Sequence, residues 1–228
     1  MNSIKKFIGC LLCFSIVLLC GCNSTDKPEE PSSENNSTYG YTFPAKIDDI
    51  TVESCYLYSG EYVEDASFER CENVAAIKLK NNSSKDIQLL HLNISTDVRY
   101  LSFEITTIPA GSTVVALEKS KQTLTENERI IKIECELRAD FEDKLSLMEE
   151  TFLLQCNPKS INIKNISEDE IKSDIYVYYK KVDEDGNFFG GITFRSKADG
   201  LKPDAIKQLP APNFDPDNSE VLFVSYAK

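Results

Sequence analysis

Eight cysteines, one histidine and 37 carboxylates are the side chains of this 228-residue sequence that could react, ligate a metal or transfer a proton. Their spacing excludes the familiar arrangements. No two of Cys55, Cys71, Cys135 and Cys156 lie two to four residues apart, and His91 is the single imidazole, so a tetrahedral zinc site lacks ligands. Neither a metal nor a cofactor is expected. A Ser-His-Asp or Cys-His device would have to recruit His91, and no Ser stands in a Gly-x-Ser-x-Gly elbow. Placed between Leu90 and Leu92, His91 reads as a solvent-facing strand residue rather than a general base. Paired carboxylates abound, Glu134 with Glu136 and Glu149 with Glu150, which keeps a carboxylate-based hydrolase or wall-modifying enzyme as the alternative to a non-enzymatic protein. Alternating Glu on a strand, however, ordinarily marks its wet face. The absence of Trp removes the usual stacking platform for sugars. Asp183-Glu184-Asp185-Gly186-Asn187 opens like a calcium loop but has no Glu at the twelfth position, so it reads as an Asp-Gly hairpin turn. Gly190-Gly191 lacks phosphate-binding spacing and reads as a strand start or bulge. The densest aromatic group, Tyr176, Tyr178, Tyr179, Phe188 and Phe189, is the candidate ligand surface. Alternation places Tyr176 and Tyr178 on one face and Tyr179 on the other, so part of it is core.

Cys22 has a different chemistry. An apolar run from Phe7 to Cys20 follows Lys5-Lys6 and ends in Leu18-Leu19-Cys20-Gly21-Cys22. Charged start, short apolar segment and small residue form a secretory signal that is removed rather than folded. The run is fourteen residues long, whereas a membrane-spanning helix needs about 20. The pentapeptide resembles a bacterial lipobox. That resemblance implies cleavage between Gly21 and Cys22, diacylglycerol on Cys22, and attachment to the extracytoplasmic face of the cell membrane through the lipid. Residues 22–45 then read as the lipidated Cys and a flexible tether, because NSTDKPEEPSSENNSTYG at 23–40 has too little apolar surface to offset its ordering entropy.

Loss of residues 1–21, which hold two Lys and no acid, takes the formal net charge from −12 to −14. Such a surface repels nucleic acid, which needs clustered Lys and Arg. No nucleic-acid partner is expected. The folded part reads as all-β. Alternating or β-rich runs occur at residues 50–58, 74–80, 87–95, 101–107, 113–117, 129–137, 152–156, 160–164, 174–180, 191–195, 205–209 and 220–226, with turn residues between them. Residues 139–150, with Phe141, Leu145 and Met148 at helical spacing, form the one helical candidate. The sequence also repeats itself. IKLKNNSSKDIQ at 77–88 aligns without a gap with INIKNISEDEIK at 161–172, matching Asn81 to Asn165 and Ser83 to Ser167. Ile108-Pro109-Ala110-Gly111 parallels Leu201-Lys202-Pro203-Asp204, and RIIKIECEL from Arg129 is echoed by EVLFVSYAK at the end. A period of this size predicts two tandem β-sandwich modules, 46–150 and 151–228.

The Asn-x-Ser turns, IYVYYKKVDEDGNFF, GGITFR, LKP and EVLFVSY are similar to the small immunoglobulin-like modules of Gram-positive, clostridial-type surface lipoproteins, the FxLYD type among them. The Phe-x-Leu-Tyr-Asp signature is itself absent, with Tyr176-Val177-Tyr178-Tyr179-Lys180 in its place. The resemblance implies a cell-surface location and a binding or structural role toward an unidentified protein, peptide or wall component. In an exported chain, Cys55, Cys71, Cys135 and Cys156 are four candidates for two disulfides. Cys71 has the parity of Ala75, Ile77 and Leu79, and Cys135 that of Ile131 and Ile133, which suits an immunoglobulin-like bridge. Pairing of neighbours, Cys55 with Cys71 and Cys135 with Cys156, and four buried free thiols remain open beside it.

Overall fold

Period-two alternation dominates the chain, and the computed structural model, which describes residues 36–227, contains strands and no helix among those residues. The signal segment, Gly21, Cys22 and the tether up to residue 35 lie outside the described residues. Three short strands lead, β1 (Asn36–Thr38), β2 (Tyr41–Phe43) and β3 (Ala45–Ile47). Six follow: β4 (Ile50–Glu61), β5 (Arg70–Asn81), β6 (Ile87–Thr96), β7 (Tyr100–Ile108), β8 (Thr113–Leu117) and β9 (Ile130–Asp140). Six more complete the chain: β10 (Phe152–Asn157), β11 (Ser160–Asn165), β12 (Ile171–Val182), β13 (Phe188–Leu201), β14 (Ile206–Pro210) and β15 (Ser219–Tyr226). The last twelve coincide with the twelve runs read from the sequence.

One seven-stranded sheet, ordered β15-β12-β13-β8-β5-β4-β3, crosses the whole structure. Two three-stranded sheets, β7-β6-β9 and β10-β11-β14, pack on it at different places. Each packing encloses its own apolar core. Val52, Ile77 and Leu79 meet Leu92, Phe103 and Ile133 in the first, and Ile161 and Ile163 meet Ile175, Val177 and Val224 in the second. Burial of a Leu, Ile or Val side chain is worth about 1.5–3 kcal/mol, so these facing alternations drive the sandwich. The two sets of six strands follow one order. β4-β5-β8 over β7-β6-β9 corresponds to β10-β11-β14 over β13-β12-β15. A parallel pairing of β8 with β13, Val114 opposite Phe188 and Val115 opposite Phe189, fuses a sheet of each set.

The repeated Asn-x-Ser turns share most of their bonds. Asn81 and Asn165 are both wholly buried and close the ends of β5 and β11. The Asn81 Nδ2 donates to Lys85 O at 2.9 Å and Ile108 O at 3.1 Å, and that of Asn165 to Asp169 O at 2.8 Å and Leu201 O at 3.1 Å. Each Oδ1 accepts from the amide and hydroxyl of the Ser two residues on. Gly111 N donates to Asn81 O at 2.9 Å and Asp204 N to Asn165 O at 3.0 Å, with Gly111 and Asp204 both at positive φ. The Pro-containing turns thus dock onto the Asn turns in both sets.

Three expectations need correction. The tether does not extend to residue 45: strand pairing starts at Asn36, Phe43 is buried, and Tyr39 and Tyr41 pack on the first core. Residues 139–150 are not helical. Ala139 and Asp140 finish β9, and the rest, a run of bends and a turn, is held by buried Asp86, whose Oδ2 accepts from Leu145 N at 2.9 Å and whose backbone carbonyl accepts from Phe141 N at 2.9 Å. Val224 N donates to Ser146 O, so tertiary partners satisfy backbone groups that a helix would have paired internally. Finally, register shifts opposite β6 break the alternation of β9. Ile130 and Ile133 point to the core, whereas Ile131 is 63% exposed and Leu137 faces outward.

Removing either asparagine leaves buried carbonyls and amides without partners. Asn81→Ala and Asn165→Ala are each expected to lower the unfolding free energy by about 2–4 kcal/mol, read from urea denaturation. A loss below about 0.5 kcal/mol at either position would show that the turn holds without its side chain.

Candidate functional site

Strand β12 alternates core residues Ile175, Val177 and Tyr179 with Tyr176, Tyr178 and Lys180 on the opposite face. At its end this second face is covered by β7, and Lys180 is wholly buried there. Its Nζ donates to Thr106 O at 2.8 Å, Gly191 O at 2.9 Å and Ile192 O at 3.0 Å, a full complement for an ammonium. The Gly191 and Ile192 carbonyls reach it because β13 bulges: Tyr179 pairs with Phe194, yet Lys181 pairs with Phe189. Glu64, in the connection from β4 to β5, answers from the far side. Its carboxylate accepts from Gly191 N at 2.8 Å and Leu117 N at 2.8 Å. Burial lowers the Lys180 pKa to about 7, against the opposing pull of the Glu64 charge. Burial likewise raises Glu64, against the Leu117 and Gly191 amides and the Lys180 ammonium. A Cβ at Gly191 would stand 2.1 Å from Glu104 O, so no other residue permits this approach of β13 to β7.

Beside this seam the outer face of β12, β13 and β15 opens into a cleft of about 700 Å3, closed on one side by residues 141–148 and on another by Gln88, Thr106 and Thr107. Its floor is an aromatic ladder. Tyr178 lies directly across from Phe223 and stacks on it at 4.2 Å, and Phe141 meets Phe223 edge-on at 5.5 Å. Arg195, paired across the strands with Tyr178, lays its guanidinium 5.2 Å over the Tyr176 ring. No carboxylate among the described residues pairs with Arg195. Thr193 and Thr106 share a hydroxyl hydrogen bond at 3.0 Å on the wall next to Lys180. Aromatic surface, an unpaired planar cation and hydroxyls equip this cleft to bind.

The candidate aromatic surface divides between separate places. Tyr178 lines the cleft, and Tyr176 lies outside it on the same face, its ring 6.3 Å from that of Tyr178. Tyr179 is buried in the second core, stacked on Phe194 at 5.4 Å and edge-on to Phe214 at 5.2 Å. Phe188 is buried in the first core, and Phe189 turns toward Tyr58 in another cavity. Period-two geometry requires this, since Tyr179 follows Tyr178 and Phe189 follows Phe188 on opposite faces. The sequence reading missed Phe141, Arg195 and Phe223. The Leu222-Phe223-Val224 alternation pointed to Phe223, but its register against Tyr178 is a long-range property.

The four cysteines are free thiols. Cys55 lies in the first core, and burial pushes its thiol up to about 12. Cys71 does not share a face with Ala75, Ile77 and Leu79, because a bulge at Asn73, with φ 53°, reverses the parity of β5. It packs instead with Val74 and Ala76 on the other side of the sheet, away from Cys135, so the immunoglobulin-like bridge is not made. Cys135 is partly buried against the first core and Cys156 is exposed. His91 is half-buried rather than fully wet, with Nε2 3.7 Å from Glu104 Oε2. Glu104 is held below the usual carboxylate range by its hydrogen bond to Lys119. Asp183 Oδ1 accepts from the amides of Asp185 and Asn187, as a hairpin turn requires. Among the described residues no group of three or more His, Cys, Asp or Glu is placed to hold a metal.

Comparison with protein-family models, with curated proteins and with solved structures returns no match. The chemistry of the site therefore rests on its own geometry.

Between pH about 7 and the ordinary lysine value of 10.5, the unfolded chain holds the Lys180 proton more firmly than the folded one, so stability should rise with pH across that window. From pH about 7.5 to about 9.5 wild type is expected to gain about 2–3 kcal/mol relative to Lys180→Met in urea denaturation. A difference that stays flat with pH would contradict the lowered value. Alkylation supplies a second check. In the native protein Cys156 should react with iodoacetamide first, while Cys55 and Cys71 stay unmodified until denaturant is added, as read by peptide mass spectrometry.

Proposed function

We propose that this chain is a cell-surface lipoprotein, held by diacylglycerol on Cys22 at the extracytoplasmic face of the membrane, whose folded part binds a protein, peptide or wall ligand without catalysing a reaction. The Leu18-to-Cys22 pentapeptide supports the address. The observation that carries the binding function is the open cleft in which Tyr178, Phe223 and Phe141 form a continuous aromatic floor beside unpaired Arg195. Aromatic residues and Arg are the side chains that most often dominate binding energy at interfaces. The repeated sandwich turns and the acidic surface favour an extracellular accessory role over a nucleic-acid one.

Two measurements test the two halves. Wild type expressed in a Gram-positive host should partition with membranes, begin at Cys22 and carry a diacylglycerol mass, whereas Cys22→Ala should lose both mass and membrane association. If the variant stays with the membrane and retains residues 1–21, the anchor is not lipid. For binding, co-sedimentation of the purified chain with isolated cell walls should weaken about tenfold or more in Tyr178→Ser/Arg195→Ala. Equal sedimentation of the double variant would remove the cleft from the binding surface.

A further inference from the structure

On another side of the seam a separate cavity of about 440 Å3 opens between the start of the β4–β5 connection, the β12–β13 turn and the approach to β15. Its walls are aromatic. Tyr58 and Phe189 lie 5.3 Å apart and tilted, and Phe68 forms the opposite wall, stacked at 6.0 Å on Phe194. Its rim is acidic. Glu61, Glu184 and Asp217 are exposed; the Glu61 charge acts on Lys181, whereas Glu184 and Asp217 form no salt bridge among the described residues. Asp183 differs, because its carboxylate is spent on its own turn.

We propose that this cavity takes the basic side chain of an extended segment on a partner protein, an arginine guanidinium or a lysine ammonium seated between the rings. The ring faces carry the negative end of the aromatic quadrupole, and carboxylates beside them add to the attraction for a cation that is partly desolvated. The chain already uses this wall once. Lys181 holds its Nζ 5.7 Å over the Phe68 ring, tethered at 2.8 Å to Asn218 Oδ1, which leaves the Tyr58 and Phe189 surfaces for a second cation. The cavity has room for one long side chain. The net charge of −12 steers cationic segments toward it and opposes a second copy of this chain or an anionic ligand. The site is independent of the Tyr178 cleft and of any ligand bound there.

The test uses the purified full chain and the blocked pentapeptide Gly-Gly-Arg-Gly-Gly, titrated by calorimetry and by the shifts of the Tyr58, Phe68 and Phe189 ring protons. Saturable binding is expected, absent for the Gln analogue and weakened at least about fivefold between about 50 and about 500 mM salt. Glu184→Gln/Asp217→Asn, two exposed substitutions that leave the cores untouched, should weaken it at least about fivefold with unchanged thermal unfolding. No saturation with the Arg peptide, an equal affinity for the Gln analogue, or an affinity unaffected by the double variant would each overturn the proposal. Spermidine serves as a control, and binding of spermidine without binding of the peptide would assign the cavity to free polyamines instead.

Discussion

A buried ammonium needs an acceptor for every proton, and Lys180 finds three carbonyls at the place where β7, β12 and β13 meet. An ion stripped of water without such compensation costs several kcal/mol, so the backbone around it has little freedom to move. The bulge of β13 exists to turn Gly191 and Ile192 toward it, and Glu64 ties the same bulge to the end of β8. Everything built on that corner inherits its position: the parallel join of β8 to β13, the Thr106–Thr193 wall of the cleft and the start of the Phe189 cavity wall. Gly191 is the steric condition for all of it, since a methyl group would collide with the β7 backbone.

The two sets of strands share their turns but not their joint. Asn81 and Asn165 repeat the same bonds to the same relative positions, and Gly111 and Asp204 repeat the same backbone conformation. Lys180 and Glu64 have no such echo. The position that aligns with Lys180 at the repeat spacing is Thr96, whose hydroxyl instead accepts from the amides of Val98 and Arg99 in a local turn. Turn chemistry is therefore common to both sets of strands, while the residues at the meeting point are particular to one.

Strand positions and the Asn-x-Ser turns were legible because both are local: alternation marks a half-buried strand, and an Asn two residues before a Ser marks a turn. Three things were not. Bulges at Asn73 and along β9 flip every later side chain, and they left no mark in the alternation around Cys71 or Ile131. The segment after Asp140 has helical spacing, but Asp86, more than fifty residues earlier, supplies bonds that hold it in a non-helical course. The cleft joins Phe141, Tyr178, Arg195 and Phe223 from four segments, so only one of the five aromatic residues clustered in the sequence, Tyr178, lines it. Lys180 was hidden for the same reason, being one more polar residue of an alternating strand until β7 covers it.

The leading strands set how the fold meets mechanical load. β3 lies at the edge of the seven-stranded sheet and pairs with β4 through only Ala45–Val52, Lys46–Thr51 and Ile47–Ile50 in a tight antiparallel hairpin. A pull on the amino-terminal end therefore opens those bonds one after another rather than shearing them together. The ring of Phe43, buried in the first core, is the plug that must leave before β4 itself feels tension. Residues 36–47 therefore stand between such a pull and the Lys180 corner, which lies more than a hundred residues further along the chain.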